Sequence, residues 1–424
     1  MKKTMMFCGV VVAGILAAEA SGTFTPIQVK TVSSRQDRRT FRLEVDYTLE
    51  SEGAALVRLD VLTNGVSIGM EKIKSLDGDV SRNFSTFVEP GQRHLSWSAR
   101  SDWPGYLESN VVAVVRAWPT NGIYTVPGSY MVVDISGGAN AASYPVSYTF
   151  DVPNPAVDAN LSTKLWFKYC PPGTYLMGSP ATEIGRNSNE DQHQVTLTEP
   201  FFAGVFNVTR AQYAKVAGSL PFTESNTYEN DFAPAAASWN DIRGTGCMWP
   251  ASNNVAATSF MGLLRAKTGI DSFDLPTEGQ WEYAARAGET NAYNNGFYLT
   301  EACPYNTGTH EGPAHPEIVE IAWVRPETNS SFKKRRVGMK NPNNWGLYDV
   351  AGNIYEWCLD NYVGNLGKMA ATNPVGPETG SNPVIRSMGI GGTCSGARTA
   401  FRRGDKARSL QDAGFGFRIF CTVR

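Results

Sequence analysis

The chain carries little charge for its length and no excess of either sign. Charged residues make up 18% of its 424 residues, and the formal net charge is −2. Proteins that bind nucleic acids concentrate basic residues, whereas disordered chains are highly charged and poor in apolar residues. The composition therefore gives no support for a nucleic-acid partner and favours a globular protein.

A long apolar run is missing from the chain except at its start. Residues 1–20 open with two lysines, continue with an apolar run over residues 5–18 and end with alanines on both sides of Glu19. This order is typical of a secretory signal peptide, and the run is too short for a membrane helix. We therefore expect cleavage before Ser21, a secreted or periplasmic protein, and no membrane span.

Histidine is scarce, and cysteine is unevenly spread. The chain has four histidines and seven cysteines, and no two cysteines form a Cys-x-x-Cys pair. Zinc sites are usually built from such pairs, so the sequence gives no support for one. The six cysteines after the predicted signal peptide are an even number in an exported chain, which favours disulfides. They are Cys170, Cys247, Cys303, Cys358, Cys394 and Cys421.

Three of the four histidines lie after residue 160. His310 and His315 flank Glu311 in a segment rich in glycine and proline, whereas His193 lies far from both. An iron site of the two-histidine, one-carboxylate kind needs clustered histidines, so this pair could hold a metal. The interpretation that we favour is two histidines on a surface loop.

The region from residue 22 to about 155 contains several short strand patterns and lacks cysteine. Apolar and polar residues alternate there, and turn signals such as Asn64-Gly65 separate the runs. Short strands without helical stretches predict an all-β sandwich of the immunoglobulin or fibronectin III type over residues 22–155. The prolines around Asn154 indicate a linker to a second domain at 160–424.

The second domain contains one clear helix signal. Thr277 and Gln280 form a capping box, and Trp281, Ala284 and Ala285 follow with the spacing of one buried helix face. Thr209 and Ser238 are further candidate capping residues. A glycine, Gly288, provides a natural end for the main helix.

Residues 345–357 combine tryptophans, tyrosines, glycines and oxygen-bearing side chains, a mixture that suits neither an amphipathic helix nor an alternating strand. Asp349, Asn353 and Glu356 supply hard oxygen ligands, and Gly352 allows backbone carbonyls to turn inward. Calcium selects such ligands on flexible loops. The alternative is a structural turn in which Asp and Asn bind nearby backbone groups. The spacing alone does not decide between them, because it is not that of an EF-hand.

Five motifs occur in the order of a known family. Together with residues 345–357 they resemble the formylglycine-generating enzyme family, also called sulfatase-modifying factors, over about 160–424. The resemblance implies a loop-rich α+β fold related to C-type lectins. It also implies an activity in which copper and oxygen convert a sulfatase cysteine to formylglycine. The motifs are Tyr175-Leu176-Met177-Gly178, Phe206-Asn207-Val208-Thr209, Leu275-Pro276-Thr277-Glu278, residues 281–286 and Gly414-Phe415-Gly416-Phe417-Arg418.

The resemblance also implies calcium. The calcium loop of the family matches the oxygen-rich stretch, so that Asp349 and Glu356 would contribute side chains while Gly352 and Ile354 would contribute backbone oxygens. A second calcium site of the family would fall near Asn306. The match therefore favours calcium over a purely structural turn.

The sequence departs from the family at its redox centre. Active members carry two cysteines near the end of the chain, whereas residues 390–402 hold Cys394 alone. Copper(I) held linearly needs two soft sulfur donors, so one cysteine is insufficient. Cys394 is then either an altered redox residue or, as we favour in an exported chain, a structural cysteine in a disulfide. Copper is accordingly doubtful.

Two functions are compatible with these patterns. The first is an exported binding or interaction module, stabilised by calcium, whose partner is an unknown protein or glycan. The second is a divergent formylglycine-generating enzyme or another metal-dependent oxidoreductase that acts on cysteines of sulfatases. The single Cys394 and the scarcity of histidine favour the binding module.

Overall fold

A computed structural model of the chain resolves into two compact units, Met1–Met131 with Ser147–Val152, and Val132–Val146 with Pro153–Arg424. The segment 132–146 therefore belongs with the second unit, and the predicted boundary near residue 155 stays a prediction. The structure describes residues 28–37, 39–40, 42–63, 66–68, 72–81, 86–102, 111–119, 130–223, 231–300, 315–324, 333–389 and 392–423. The predicted signal peptide lies outside these ranges.

The first unit consists of strands and one short helix. Its elements are β1 Gln28–Gln36, β2 Leu43–Glu50, β3 Ala55–Thr63, β4 Val66–Ser67, β5 Leu76–Gly78, β6 Gly91–Trp97, α1 Ala99–Asp102 and β7 Val111–Pro119. They form two antiparallel sheets with the orders β1-β2-β6-β5 and β4-β3-β7. The strand-rich region is as the alternating pattern predicts, whereas the immunoglobulin or fibronectin III type stays a prediction.

Both sheets contribute to one hydrophobic core. Alternate residues of β2, such as Leu43 and Val45, are buried together with Val57 and Leu59 of β3. Strand β3 is buried on its other face as well, where Arg58 donates hydrogen bonds to two backbone carbonyls at 2.9 and 3.1 Å. Buried polar groups need such partners, so the second face of β3 is held by polar contacts as well as by packing.

The second unit is rich in loops and short strands. Its sheets have the orders β14-β19-β13-β10-β8-β9, β11-β12-β16 and β17-β15-β18. The strands are β8 Tyr130–Asp134, β9 Val146–Thr149, β10 Lys164–Cys170, β11 Gly173–Met177, β12 His193–Leu197, β13 Phe201–Gly204, β14 Phe273–Asp274, β15 Tyr355–Asn361, β16 Ala371–Thr372, β17 Pro383–Arg386, β18 Phe415–Gly416 and β19 Phe420–Thr422. The division between the units falls inside β8, after Met131, and inside β9, after Val146.

The helices of this unit are short. They are α2 Ala159–Ser162, α3 Arg210–Ala217, α4 Trp239–Arg243, α5 Phe260–Thr268, α6 Glu278–Arg286 and α7 Pro316–Val319, and a 3₁₀ helix spans Cys394–Ala397. Within the described ranges, every helix is too short or too polar to cross a lipid bilayer.

Helix α6 begins as the sequence predicts. The hydroxyl of Thr277 accepts the N–H of Gln280, and the side chain of Gln280 accepts the N–H of Thr277. Trp281, Ala284 and Ala285 are buried on one face. Since the helix packs against β11, β12, β15 and β17, that face lies at the centre of the unit.

The other helix ends follow local chemistry too. Thr209 caps α3 and Ser238 caps α4, each through a capping box, as predicted. At the end of α6, however, the left-handed residue is Ala287 at φ 48°, one position before the predicted Gly288. The glycine is also left-handed, at φ 93°, so the chain turns over two residues rather than one.

Candidate calcium loop and cysteine site

The loop at residues 345–357 is tied to the end of helix α6 by one side chain. Asn343 Nδ2 donates to the carbonyl oxygens of Ala284 at 2.7 Å and Ala285 at 3.0 Å. Carbonyls in the last turn of a helix lack partners within it, so this amide satisfies two of them. Asn343 Oδ1 accepts two N–H groups inside the loop. The loop therefore starts from a fixed point on α6.

Four loop residues have a positive φ in the left-handed region, 83° at Gly346, 55° at Asp349, 151° at Gly352 and 69° at Asn353. Asp and Asn tolerate it better than most residues, because their short polar side chains bind locally. The side chain of Asn353 accepts the N–H of Arg335 at 2.9 Å and donates to its carbonyl at 3.1 Å. These contacts match the structural-turn interpretation of the loop.

Asp349 keeps one oxygen unpaired. The residue is 2% exposed, and its Oδ2 accepts the N–H of Gly338 at 2.7 Å. Its Oδ1 is buried and meets no hydrogen-bond donor in the part of the chain that the structure describes, and the same holds for Oδ1 of Asn207. Burial raises the pKa of the Asp349 carboxyl to about 6, because the ionised form loses its hydration. Buried oxygens with free lone pairs fit a hard cation.

Glu356 is placed differently. Its Oε1 accepts the amide of Asn207 at 2.7 Å, its Oε2 accepts the indole N–H of Trp281 at 2.7 Å, and Arg418 lies at 3.1 Å. Arg418 is itself buried and donates to the carbonyl of Tyr348 at 2.7 Å. The charge of Glu356 is therefore balanced by an arginine, and a cation there would share the carboxylate with these donors.

The remaining predicted calcium ligands are only partly described. The carbonyl of Gly352 accepts the N–H of Ile354 at 2.8 Å, and the Ile354 side chain is fully buried. Asn306 lies outside the described residues. The structure thus places Asp349, Gly352, Ile354 and Glu356 in one buried loop, and calcium binding by them stays a prediction.

Cys394 begins the 3₁₀ helix and is fully buried. The hydroxyl of Tyr293 donates to its carbonyl at 2.9 Å, and Met388 and Val324 belong to the same apolar cluster. The described free thiols are Cys170, Cys247, Cys358 and Cys421, and Cys394 is not among them. The side chain of Cys394 is therefore neither exposed nor a free thiol.

The histidines are dispersed. His193 is buried and lies 3.2 Å from the carbonyl of Asp191, whereas His315 is half-buried and lies 2.6 Å from a carboxylate oxygen of Glu317. His310 lies outside the described residues. Over the described ranges, no three His, Cys, Asp or Glu residues are grouped to hold a metal ion.

Sequence reasoning missed a buried charge network on α6. Arg386 contacts Glu278 at 3.0 Å and Glu282 at 2.6 Å, while Arg402 contacts Glu278 at 2.6 Å. Arg286 completes the network at 2.7 Å from Glu282. Burial opposes ionisation of Glu278, but the two arginines outweigh it and lower its pKa. The sequence does contain a signal for this network, because Glu278, Glu282 and Arg286 recur every four residues on the helix that carries buried Trp281.

A second charged cluster lies beside Cys394. Arg398 is 1% exposed and contacts Glu190 at 2.7 Å and Glu183 at 2.7 Å. Its Nε also donates to the carbonyl of Ser395 at 2.9 Å. The loop that carries Glu183 and Glu190 is therefore joined to the Cys394 helix through one guanidinium group, which fixes the surroundings of the cysteine.

Comparison with known proteins shows the family of the chain. The model of the Sulfatase-modifying factor enzyme 1-like domain matches residues 167–423, and the chain belongs to this family. The formylglycine-generating enzyme of Thermomonospora curvata is 25% identical over 252 residues, which are 51% of this chain and 79% of that protein.

Two further matches are a curated protein and a solved structure. The inactive C-alpha-formylglycine-generating enzyme 2 of Mus musculus is 23% identical over 224 residues, covering 46% of this chain and 68% of that protein. Among solved structures, PvdO from Pseudomonas aeruginosa is 23% identical and has a TM-score of 0.48, with 61% of this chain and 94% of that chain covered. The family thus includes a formylglycine-generating enzyme and a member named inactive.

Proposed function

We propose that the chain is an exported binding or interaction protein whose sulfatase-modifying-factor-like domain has lost the two-cysteine copper chemistry. The observation that carries this is the state of Cys394, which is fully buried and is not a free thiol. We propose that it is held in a disulfide. A disulfide sulfur offers no thiolate, and the thiolate is the form that binds copper.

The four described free thiols do not offer a replacement pair, because Cys247 is a single half-buried thiol and the other three lie in the core. Cys170 lies in β10, Cys358 in β15 and Cys421 in β19, and all three are buried. Burial raises the pKa of Cys421 to about 11 and raises the pKa of Cys170 and Cys358 further. At neutral pH these groups are protonated, so they do not supply the pair of soft donors that copper(I) requires.

A structural calcium ion is the second part of the proposal. The unpaired buried oxygens of Asp349 and Asn207 support it, with Glu356 beside them. When bound, calcium would supply positive charge to a carboxylate that burial otherwise penalises. The ion would hold the loop at residues 345–357 in place and would leave the binding of a protein or glycan partner to other surfaces.

Export is proposed from residues 1–20. Their basic start, apolar run and small residues at the end support a signal peptide. N-terminal sequencing of the protein recovered outside the cytoplasm should give Ser21 as its first residue. Recovery only with residues 1–20 attached would contradict export by this route.

The alternative is a divergent formylglycine generator that acts on sulfatases, favoured by the relative from Thermomonospora curvata. The test is to incubate the full chain with a Cys-x-Pro-x-Arg peptide, copper and oxygen, and to follow the peptide mass. We expect no conversion, while the Thermomonospora enzyme converts the same peptide.

The control for this assay is Cys394→Ser, together with alkylation of Cys394 in denaturant before and after reduction, since the residue is buried in the folded protein. We expect alkylation only after reduction. Conversion of the peptide by the unmutated chain, abolished in Cys394→Ser, would establish the enzyme and overturn the binding proposal.

A further inference from the structure

The second unit contains a cavity of about 180 Å³ that lies apart from the calcium loop and from Cys394. Its lining comes from β12, β19, the start of α6 and the segments around residues 249–253 and 373–375. None of its lining residues belongs to residues 345–357 or 392–402. Its apolar walls include Leu197, Leu275, Leu359 and Phe420.

The size of the cavity limits what it can hold. Pockets for drug-sized ligands and cofactors measure roughly 300–1,000 Å³. A cavity of about 180 Å³ is smaller than these and suits a single extended group, such as one long side chain or a short alkyl chain. Nucleotides and oligosaccharides are too large for it.

The charge of the lining selects the ligand further. Two carboxylates, Asp274 and Glu199, line the cavity, and no lysine, arginine or histidine does. Asp274 is already paired, at 2.7 Å with Arg243 and at 2.9 Å with Arg265. Glu199 is exposed, and among the described residues nothing forms an ion pair with it. Glu199 is therefore the one charged lining residue that has no ion pair among the described residues.

An indole ring also lines the cavity. Trp249 is partly exposed, and its Nε1 donates to the carbonyl of Val375 at 3.0 Å, which orients the ring. Aromatic faces attract cations through their quadrupole. A solvent-accessible indole and carboxylate in the lining of an apolar cavity are complementary to a cation at the end of an apolar chain.

We propose that this cavity binds a long-chain organic cation, such as the alkylammonium of lysine or the guanidinium of arginine. The apolar stem would occupy the cavity, and the charge would lie between Glu199 and Trp249. The cation could come from a polypeptide side chain or from a free amine, since both have the same chemistry. This inference names a ligand class for the proposed binding function. It rests on that function only in assuming that the chain has a binding partner.

The test is calorimetric titration of the full chain with agmatine, with N-acetyl-arginine methylamide and with the uncharged N-acetyl-norleucine methylamide. We expect saturable binding of at least one cation, weakened by salt, and weaker binding of the uncharged amide. Glu199→Gln should weaken cation binding about threefold, the size expected for an exposed ion pair. Val375→Trp, which enlarges an exposed residue of the lining, should block it.

The matched control is Glu320→Gln, which removes an equal charge from an exposed residue outside the lining and should bind normally. Preference for agmatine identifies a free amine, and preference for the methylamide identifies a polypeptide side chain. The proposal is overturned if neither cation shows saturable binding. It is also overturned if the affinity is the same for charged and uncharged ligands and is unchanged in Glu199→Gln. Neither result bears on the peptide-conversion assay, so failure of the two proposals can be told apart.

Discussion

At the scale of single residues, similar buried carboxyl groups behave differently because their neighbours differ. Glu356 accepts hydrogen bonds from Asn207, Trp281 and Arg418, which keep its charge compensated. Asp349 leaves one oxygen without a donor among the described residues, and its pKa is raised to about 6. The residue type was readable from the sequence, but these contacts decide which carboxyl group has room for a cation.

The first prediction concerns calcium at Asp349. Removing calcium with a chelator should lower the melting temperature, since an ion bound only to the native state stabilises it by about 2.7 kcal/mol at a hundredfold excess over its Kd. Asp349→Asn should lower the melting temperature with calcium present and abolish most of the response to chelation. The measurement is thermal unfolding with and without chelator. An unmutated chain that is insensitive to chelation would rule the ion out.

The second prediction concerns Asp360, which accepts the N–H of Glu278 at 2.7 Å. Burial, together with the charge of Glu278, raises its pKa to about 8 from an ordinary value of 3.8. The folded state therefore holds a proton that the unfolded state has released, so stability falls as pH rises from about 4 to about 8. The loss approaches 1.4 kcal/mol per pH unit.

Asp360→Asn removes this titration and should gain stability relative to the unmutated chain as pH rises through that window. Urea unfolding at several pH values measures the difference. The exposed Asp271→Asn is the control, for which we expect no such trend. A constant difference between Asp360→Asn and the unmutated chain from pH 5 to pH 8 would contradict the prediction.

At the scale of elements, α6 connects the parts of the second unit. Its carboxylates receive Arg386 from β17 and Arg402 from the segment that follows the Cys394 helix. The helix also receives Asn343 at its end, which fixes the start of the calcium loop. One nine-residue helix therefore positions both the predicted metal loop and the cysteine segment.

The third prediction tests this network. Arg386→Met should destabilise the fold by about 3–5 kcal/mol, because it leaves Glu278 and Glu282 buried with too few partners. The control is Arg403→Met, which breaks a half-exposed pair with Asp405 and should cost less than about 1 kcal/mol. Chemical unfolding of both variants measures the contrast. Equal losses of stability in the two variants would contradict the prediction that the buried ion pairs matter more than the half-exposed one.

At the scale of the whole molecule, each of the two units holds its own core. The contacts assign residues 132–146 to the second unit, although they precede the predicted linker at Asn154. Strand β8, which ends in this segment, belongs to the same sheet as β10. The two units are therefore interleaved along the chain rather than separated at one point.

The fourth prediction follows from this arrangement. Proteolytic cleavage near Asn154 should leave two folded pieces, and separation of the pieces should lower the melting temperature of the second piece, because it loses β8 and β9 from its sheet. Circular dichroism and thermal unfolding of the separated pieces measure this. An unfolded N-terminal piece would show that the first unit does not fold independently.

The sequence by itself determined the family, the capped starts of α3, α4 and α6, and four strands of the first unit, which are β2, β3, β6 and β7. These features rest on local patterns: alternation, a capping residue three positions before its partner, and short motifs in a fixed order. Only the tertiary structure decided how the buried charges are satisfied. Glu356 meets Arg418 across 62 positions of the chain, and Arg402 meets Glu278 across 124. No local pattern encodes such pairs, because burial and proximity arise only when distant segments pack together.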